Sequence, residues 1–172
     1  MADRSDVALL HPLLHDPDPA VRVHAAYALA TAADPDRAVR GAFRARLGAE
    51  QDPMARAALV FAVAESTRAH PHAPTAKWIR ERWRDRAEAS EARLAAAIGW
   101  LCLSEEPAPD DLRAAVDELA TDERARAMGA LPWMADARTS GETGLRHCVR
   151  VMLHPEQAAP PEYDNPWAVL QH

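Results

Sequence analysis

The stretch LLHDPDPAVRVHAAYALA, from Leu13 to Ala30, restricts the fold more than any other part of this chain. Asp16-Pro17-Asp18-Pro19 cannot continue a helix, because each proline lacks an N–H donor and pushes the residue before it out of the α region. Asp18 followed by Pro19 is at the same time a start signal, an N-capping carboxylate ahead of a proline at the first helical position. Beyond it, Val21, Ala25, Ala28 and Leu29 fall on one face at helical spacing. The stretch therefore predicts a helix end, a tight polar turn and a new helix, an αα-hairpin.

Weaker copies of this pattern recur. Aligned on an arginine four residues after the capping position, they read Asp18…Arg22, Asp52…Arg56, Ala89…Arg93 and Asp122…Arg126, with the arginines 34, 37 and 33 residues apart. Self-similarity at such a period predicts stacked helical hairpins. Each arginine stands one turn past its cap, within reach of the capping Asp of its own repeat or of a neighbouring one. Asp18, Arg22, Asp52, Arg56, Arg93, Asp122 and Arg126 are accordingly read as a structural ladder holding the turns in register.

DPDPAVRVHAAYALA resembles the second-helix start of a HEAT-like repeat, of the short bacterial type also seen in bilin-lyase-related proteins. DPMARAALVFAVA is a fair second match. SEARLAAAIGWL has Ala89 where the Asp belongs, and DERARAMGALPW carries Pro132 inside the helix. The resemblance covers roughly residues 5–136. It implies an all-α fold, a right-handed α-α superhelix of about four helical hairpins plus a C-terminal capping helix. HEAT-like modules bind proteins or, less often, nucleic acids, so it implies a non-catalytic interaction scaffold, with no enzyme activity and no cofactor.

At 172 residues the chain makes one domain with room for a core. Its apolar content is 48% but its aromatic content only 5%, so much of the core is alanine, which suits closely packed helices in a thin two-layer stack. There is neither an apolar run of about eighteen residues nor a charged-then-apolar leader, which predicts a soluble, cytoplasmic protein. A net charge of −6 argues against binding driven by nucleic-acid phosphates. Cys102 and Cys148 sit in helical surroundings without CxxC spacing and read as core thiols. The Ala, Arg, Asp and Pro bias points to a bacterial source of high GC content.

Taken in order, helices are predicted from Ser5 to His15 with a kink at Pro12, from Pro19 to about Ala32, and from Asp36 to Leu47 with Gly48 as C-cap. The next run from Met54 to about Arg68, from Ala76 to Glu88 behind a Thr75 cap, and from Glu91 to Leu103. Asp110 and Asp122 are read as caps of the seventh and eighth helices, the eighth stopping near Leu131-Pro132. Leu145, Cys148, Val149 and Met152 give a ninth, capping helix. The division is a repeat domain over 1–153 and an extended, proline-rich tail over 154–172.

The candidate binding face follows from the alignment. Five residues past each ladder arginine stand Tyr27, Phe61, Ile98 and Leu131, and one turn earlier stand Val23, Ala57, Leu94 and Ala127. In a stack these columns become a continuous apolar stripe on the concave side. Tyr27, Phe61, Ile98, Leu131, Val23 and Leu94 are therefore the candidate partner-binding residues, since an exposed patch of this extent marks a partner surface. Three readings stay open: the columns are ordinary core, they bind a protein or peptide segment, or the tail's Trp167, Val169 and Leu170 fill the groove, within one molecule or between two.

Lys77 to Arg86 is the most basic stretch, five positive residues against two negative, with Trp78 and Trp83 interleaved. Ile79, Trp83 and Ala87 form its inner face, while Trp78 with Arg82 would suit base stacking beside phosphate contacts. Nucleic-acid binding through residues 77–86 is the alternative function, set against a solvated helix. HEAT-like DNA glycosylases need an acid on a basic concave face, and the nearest acid here is Glu65. A tetrapyrrole lyase would need a nucleophilic Cys or an acid pair that the sequence does not offer. His11 with His15, and His70 with His72, are the remaining ligand-like pairs; Pro12 disturbs the first, no third ligand lies near, and no metal site is expected.

Overall fold

The computed structural model describes residues 4–32, 37–67, 73–104, 106–134, 149 and 152–154. Within them the chain is all-helical. The helices are α1 (Arg4–Leu10), α2 (Pro19–Thr31), α3 (Arg37–Ala49), α4 (Pro53–Glu65), α5 (Ala73–Arg84), α6 (Ser90–Leu103), α7 (Asp110–Leu119) and α8 (Asp122–Met128), with 3-10 turns at His11–His15 and Pro132–Met134. Among the described residues there is no strand and no helix long and apolar enough to cross a membrane.

The Asp-Pro starts behave as their chemistry requires. Asp18, in the extended region, accepts the Ala20 N–H at 2.8 Å, and Asp52 accepts those of Met54 and Ala55 at 3.0 and 2.8 Å. Pro19 and Pro53 open the two helices, where a missing N–H removes no intrahelical bond. Several boundaries differ from the sequence expectation. After α1, Pro12 tightens the chain into a 3-10 turn rather than kinking a longer helix. α3 runs through Gly48 because the Glu50 N–H still reaches the Arg46 carbonyl at 3.0 Å. Thr75 lies inside α5, not ahead of it, since Pro74 already fits the first turn; the buried Thr75 hydroxyl accepts from Arg44 Nη2 at 3.1 Å. α7 takes Pro109, not Asp110, at its N-cap position, and α8 is capped by the Thr121 hydroxyl rather than by Asp122.

α2, α4 and α6 pack side by side, α4 in the middle. The 3-10 turn and α1 lie against α2, α3 against α4, α5 against α6, and α7 against both α5 and α6. α4 is buried almost all round from Ala57 to Ala64, and α6 from Ala92 to Trp100, as central helices must be. The flanking helices bury one stripe each: Val39, Phe43 and Leu47 on α3, Ile79 and Trp83 on α5, Leu112, Val116 and Leu119 on α7. Of the expected ninth helix, Leu145 and Cys148 lie outside the described residues, while Val149 and Leu153 are buried. Arg113 Nη1 donates to the Leu153 carbonyl at 2.5 Å, fastening that segment to α7.

Small residues let α4 and α6 approach closely. A Cβ built on Gly99 would stand 3.0 Å from the Ala64 Cβ. Gly99→Val is expected to wedge the two central helices apart and destabilise the fold by about 1–3 kcal/mol, read as a lower urea midpoint with unchanged helicity before the transition.

Candidate functional site

Local chemistry explains what the ladder arginines do. The last carbonyls of a helix have no partner within it and carry a partial negative charge. Arg22, Arg56 and Arg93, each four residues past an N-cap position, use one nitrogen on such carbonyls of the element just before. Arg22 Nη1 donates to the Asp16 and Pro17 carbonyls at 2.8 and 3.0 Å, Arg56 Nη1 to those of Leu47 and Glu50 at 3.0 and 2.6 Å, and Arg93 Nε to that of Trp83 at 3.1 Å.

The other nitrogens reach forward along the chain. Arg22 holds Glu50 through Nε and Nη2, both at 2.7 Å, and Arg56 holds Glu88 at 2.7 and 2.8 Å. Arg93 holds Glu118 by a single bond of 3.1 Å, and this third glutamate is half exposed. The ionic partner is thus a glutamate, in a turn for Arg22 and Arg56 and in α7 for Arg93, and not the capping Asp that the spacing suggests, because Asp18 and Asp52 are engaged with backbone N–H groups. Glu50 also accepts the N–H groups of Gln51 and Asp52. Arg126 is exposed and no rung; with the cap at Thr121, Arg124 grips the Leu119 carbonyl and reaches back to Glu91 at 3.3 Å. Asp122 falls in the first turn of α8.

Glu50 and Glu88 are almost fully buried. Burial pushes the Glu50 carboxyl up, but the Arg22 hydrogen bond, the Asp52 and Gln51 N–H groups and the Arg46 charge together outweigh it and bring it down to about 2. Glu88 moves down in the same way, burial opposed by Arg56 and the Ala89 N–H. The Arg22 and Arg56 guanidiniums are raised by their glutamates.

The apolar row is not an open stripe. Phe61, Ile98, Leu131, Val23 and Leu94 are buried, and Tyr27 is half-buried. Over Tyr27 and Phe61 the cover is the chain's own Trp133, carried by the 3-10 turn after α8. Its ring stacks on Phe61 at 5.7 Å and meets Tyr27 edge-on at 5.1 Å. Leu131 belongs to the turn after α8, since α8 ends at Met128. At the margin of the row a cleft of about 70 Å³ stays open between Phe61, Ile98, Gly99, Cys102, Trp133 and Met134. Cys102 is exposed there rather than a core thiol, and Glu65 sits on the same rim. The Trp133 indole N–H is buried without an acceptor among the described residues. No periodicity marks Trp133; only its place after the helix-stopping Leu131-Pro132 hinted at a turn.

On the basic stretch, Ile79 and Trp83 are core as expected, but Ala87 is exposed because α5 ends at Arg84. Trp78 is half-buried, with Arg44 and Arg82 guanidiniums 5.1 and 5.6 Å from its ring centre. Arg84 is bonded to Asp111 at 2.6 Å, and Arg82 stands 3.8 Å from Glu88. His11 and His15 are exposed on the 3-10 turn, and His70 and His72 lie outside the described residues, as do Trp167, Val169 and Leu170. No group of three or more His, Cys, Asp or Glu among the described residues is arranged to hold a metal ion.

No family model, curated protein or solved structure matches this chain.

The buried glutamates make acid sensitivity a direct readout of the joints. A carboxyl held near 2 in the fold and near 4.5 in the unfolded chain stabilises the fold above pH 4.5 and loses that contribution as pH falls toward 2. Glu50→Gln is expected to cost about 3–5 kcal/mol at pH 7, because it leaves Arg22 unpaired in a buried site. Urea titrations across pH should show the difference from the parent protein shrinking as pH falls below 4.5.

Proposed function

We propose that this chain is a HEAT-like α-solenoid, a right-handed superhelix of about four hairpins with a C-terminal capping helix, working as a non-catalytic protein-interaction scaffold. The observation that carries the reading is the repeated joint. At three successive N-cap-plus-four positions an arginine grips the helix end behind it and a glutamate further on. Such a joint joins like units, and stacked like units present long surfaces rather than enclosed reaction sites.

The binding face on this reading is the margin of the apolar row. The cleft beside Phe61, Ile98 and Trp133 takes one apolar side chain of a partner segment. The engagement of Arg82 and Arg84 with acids, and of the Trp78 ring with two guanidiniums, favours this reading over nucleic-acid binding by α5.

Cys102→Arg tests the face at an exposed position that leaves the α4–α6 contact alone. A protein retained by the parent chain, with crosslinks mapping to α4, α6 and the Trp133 turn, should bind the variant at least about tenfold more weakly. Helicity should be unchanged and added salt should have little effect. Equal binding by the variant, or crosslinks confined to α3 and α5, would overturn the proposal.

A further inference from the structure

A second cavity lies on the other side of the C-terminal end of α6, and Leu103 lines both. It measures about 290 Å³, close to the lower limit of small-molecule sites at about 300 Å³. Its walls are Lys77 and Arg80 from α5, Trp100 and Leu103 from α6, and Ser104 and Glu106 just beyond. We propose that it binds a small organic monocarboxylate with an apolar body, the carboxylate on Arg80 and the body against Trp100 and Leu103.

Arg80 is the residue that asks for an anion. Its guanidinium lies 5.7 Å from the Trp100 ring centre, and its Nε is buried with no acceptor among the described residues. Arg46 and Arg82 also carry such a buried Nε, but a glutamate stands beside each, at 2.9 and 3.8 Å. A guanidinium presents a planar fork that matches a carboxylate. Buried donors without acceptors are uncommon, because each has lost its water and gained nothing in return. Ser104 adds a second donor: its Oγ accepts the Glu106 N–H at 3.1 Å, which leaves the hydroxyl proton to give.

Charge decides between anions. Among the described lining residues, Lys77 and Arg80 against Glu106 leave one positive charge in surplus, enough for a monoanion. A phosphate dianion is disfavoured, because the cavity adjoins the C-terminal end of α6, where helix carbonyls point negative charge outward. Leu103, half-buried at the end of α6, gives the cavity an apolar wall with no polar group for a bare ion to use. An apolar body beside the carboxylate buries that surface.

The inference stands apart from the interaction surface and is tested on the whole chain by calorimetric titration with 3-phenylpropionate, 3-phenylpropanamide and inorganic phosphate. The carboxylate should saturate, and the amide and phosphate should bind at least about tenfold more weakly. Lys77 is the chain's one lysine, so its acylation, followed by mass, should slow when the carboxylate is present. Arg80→Gln should lose about tenfold or more in affinity, Arg80→Lys should retain part of it, and Glu106→Gln should tighten it. If Arg80→Gln loses its helicity, Arg80→Lys and Glu106→Gln carry the test. Equal binding of acid and amide, tighter binding of phosphate, weaker binding by Glu106→Gln, or no saturation at about 10 mM ligand would each overturn the proposal.

Discussion

Two buried ion pairs, Arg22 with Glu50 and Arg56 with Glu88, are the interactions on which the packing of the central helices rests. Desolvating a carboxylate and a guanidinium costs several kcal/mol each, and their mutual attraction repays that only when the remaining polar atoms are also bonded. Here they are. Each arginine spends its spare nitrogen on helix-end carbonyls, and Glu50 takes two backbone N–H groups besides Arg22 and Arg46. One guanidinium thereby finishes one helix and fixes the turn before another. The pairs act as geometric pins more than as sources of net stability.

The rest of the interior fits around those pins. With the turns fixed, α4 and α6 can be apolar on every face and made largely of alanine, so their backbones come close enough for Gly99 to lie against Ala64. The flanking helices add bulk of their own. Phe43 and Trp83 are among the largest fully buried side chains, and Trp83 meets Trp100 edge-on at 5.8 Å.

The parts of this arrangement that depend on neighbouring residues were legible in the sequence. Asp18-Pro19 and Asp52-Pro53 specify helix starts through bonds that span two or three residues, and the stripe of Ile79 and Trp83 follows from helical spacing. The spacing of Arg22, Arg56 and Arg93 marked equivalent positions, but not their partners, since Glu50, Glu88 and Glu118 are 28, 32 and 25 residues further along. At α8, Thr121 and Asp122 are both good caps by residue type. Backbone geometry chose Thr121, and the frame that paired Asp122 with Arg126 and placed Leu131 in the row moved with it. The exposure of the apolar row was the least legible feature. It turns on Trp133, more than a hundred residues from Tyr27, folding back over the row from a three-residue turn. The Arg80 cavity drew no signal because a helix full of cations looks solvated until one of them is found facing a Trp on the next helix.

The joints also have a direction. Arg22, Arg56 and Arg93 each depend on a carboxylate supplied from later in the chain, while Glu50 and Glu88 also hold backbone N–H groups of their own turns. Shortening the protein from its front removes a cation and leaves Glu50 with its backbone donors. Shortening it from its rear strips the acid from the last remaining arginine and strands a buried positive charge. The array is therefore polar in its tolerance of loss, and chain growth on the ribosome completes each junction only when the following turn emerges.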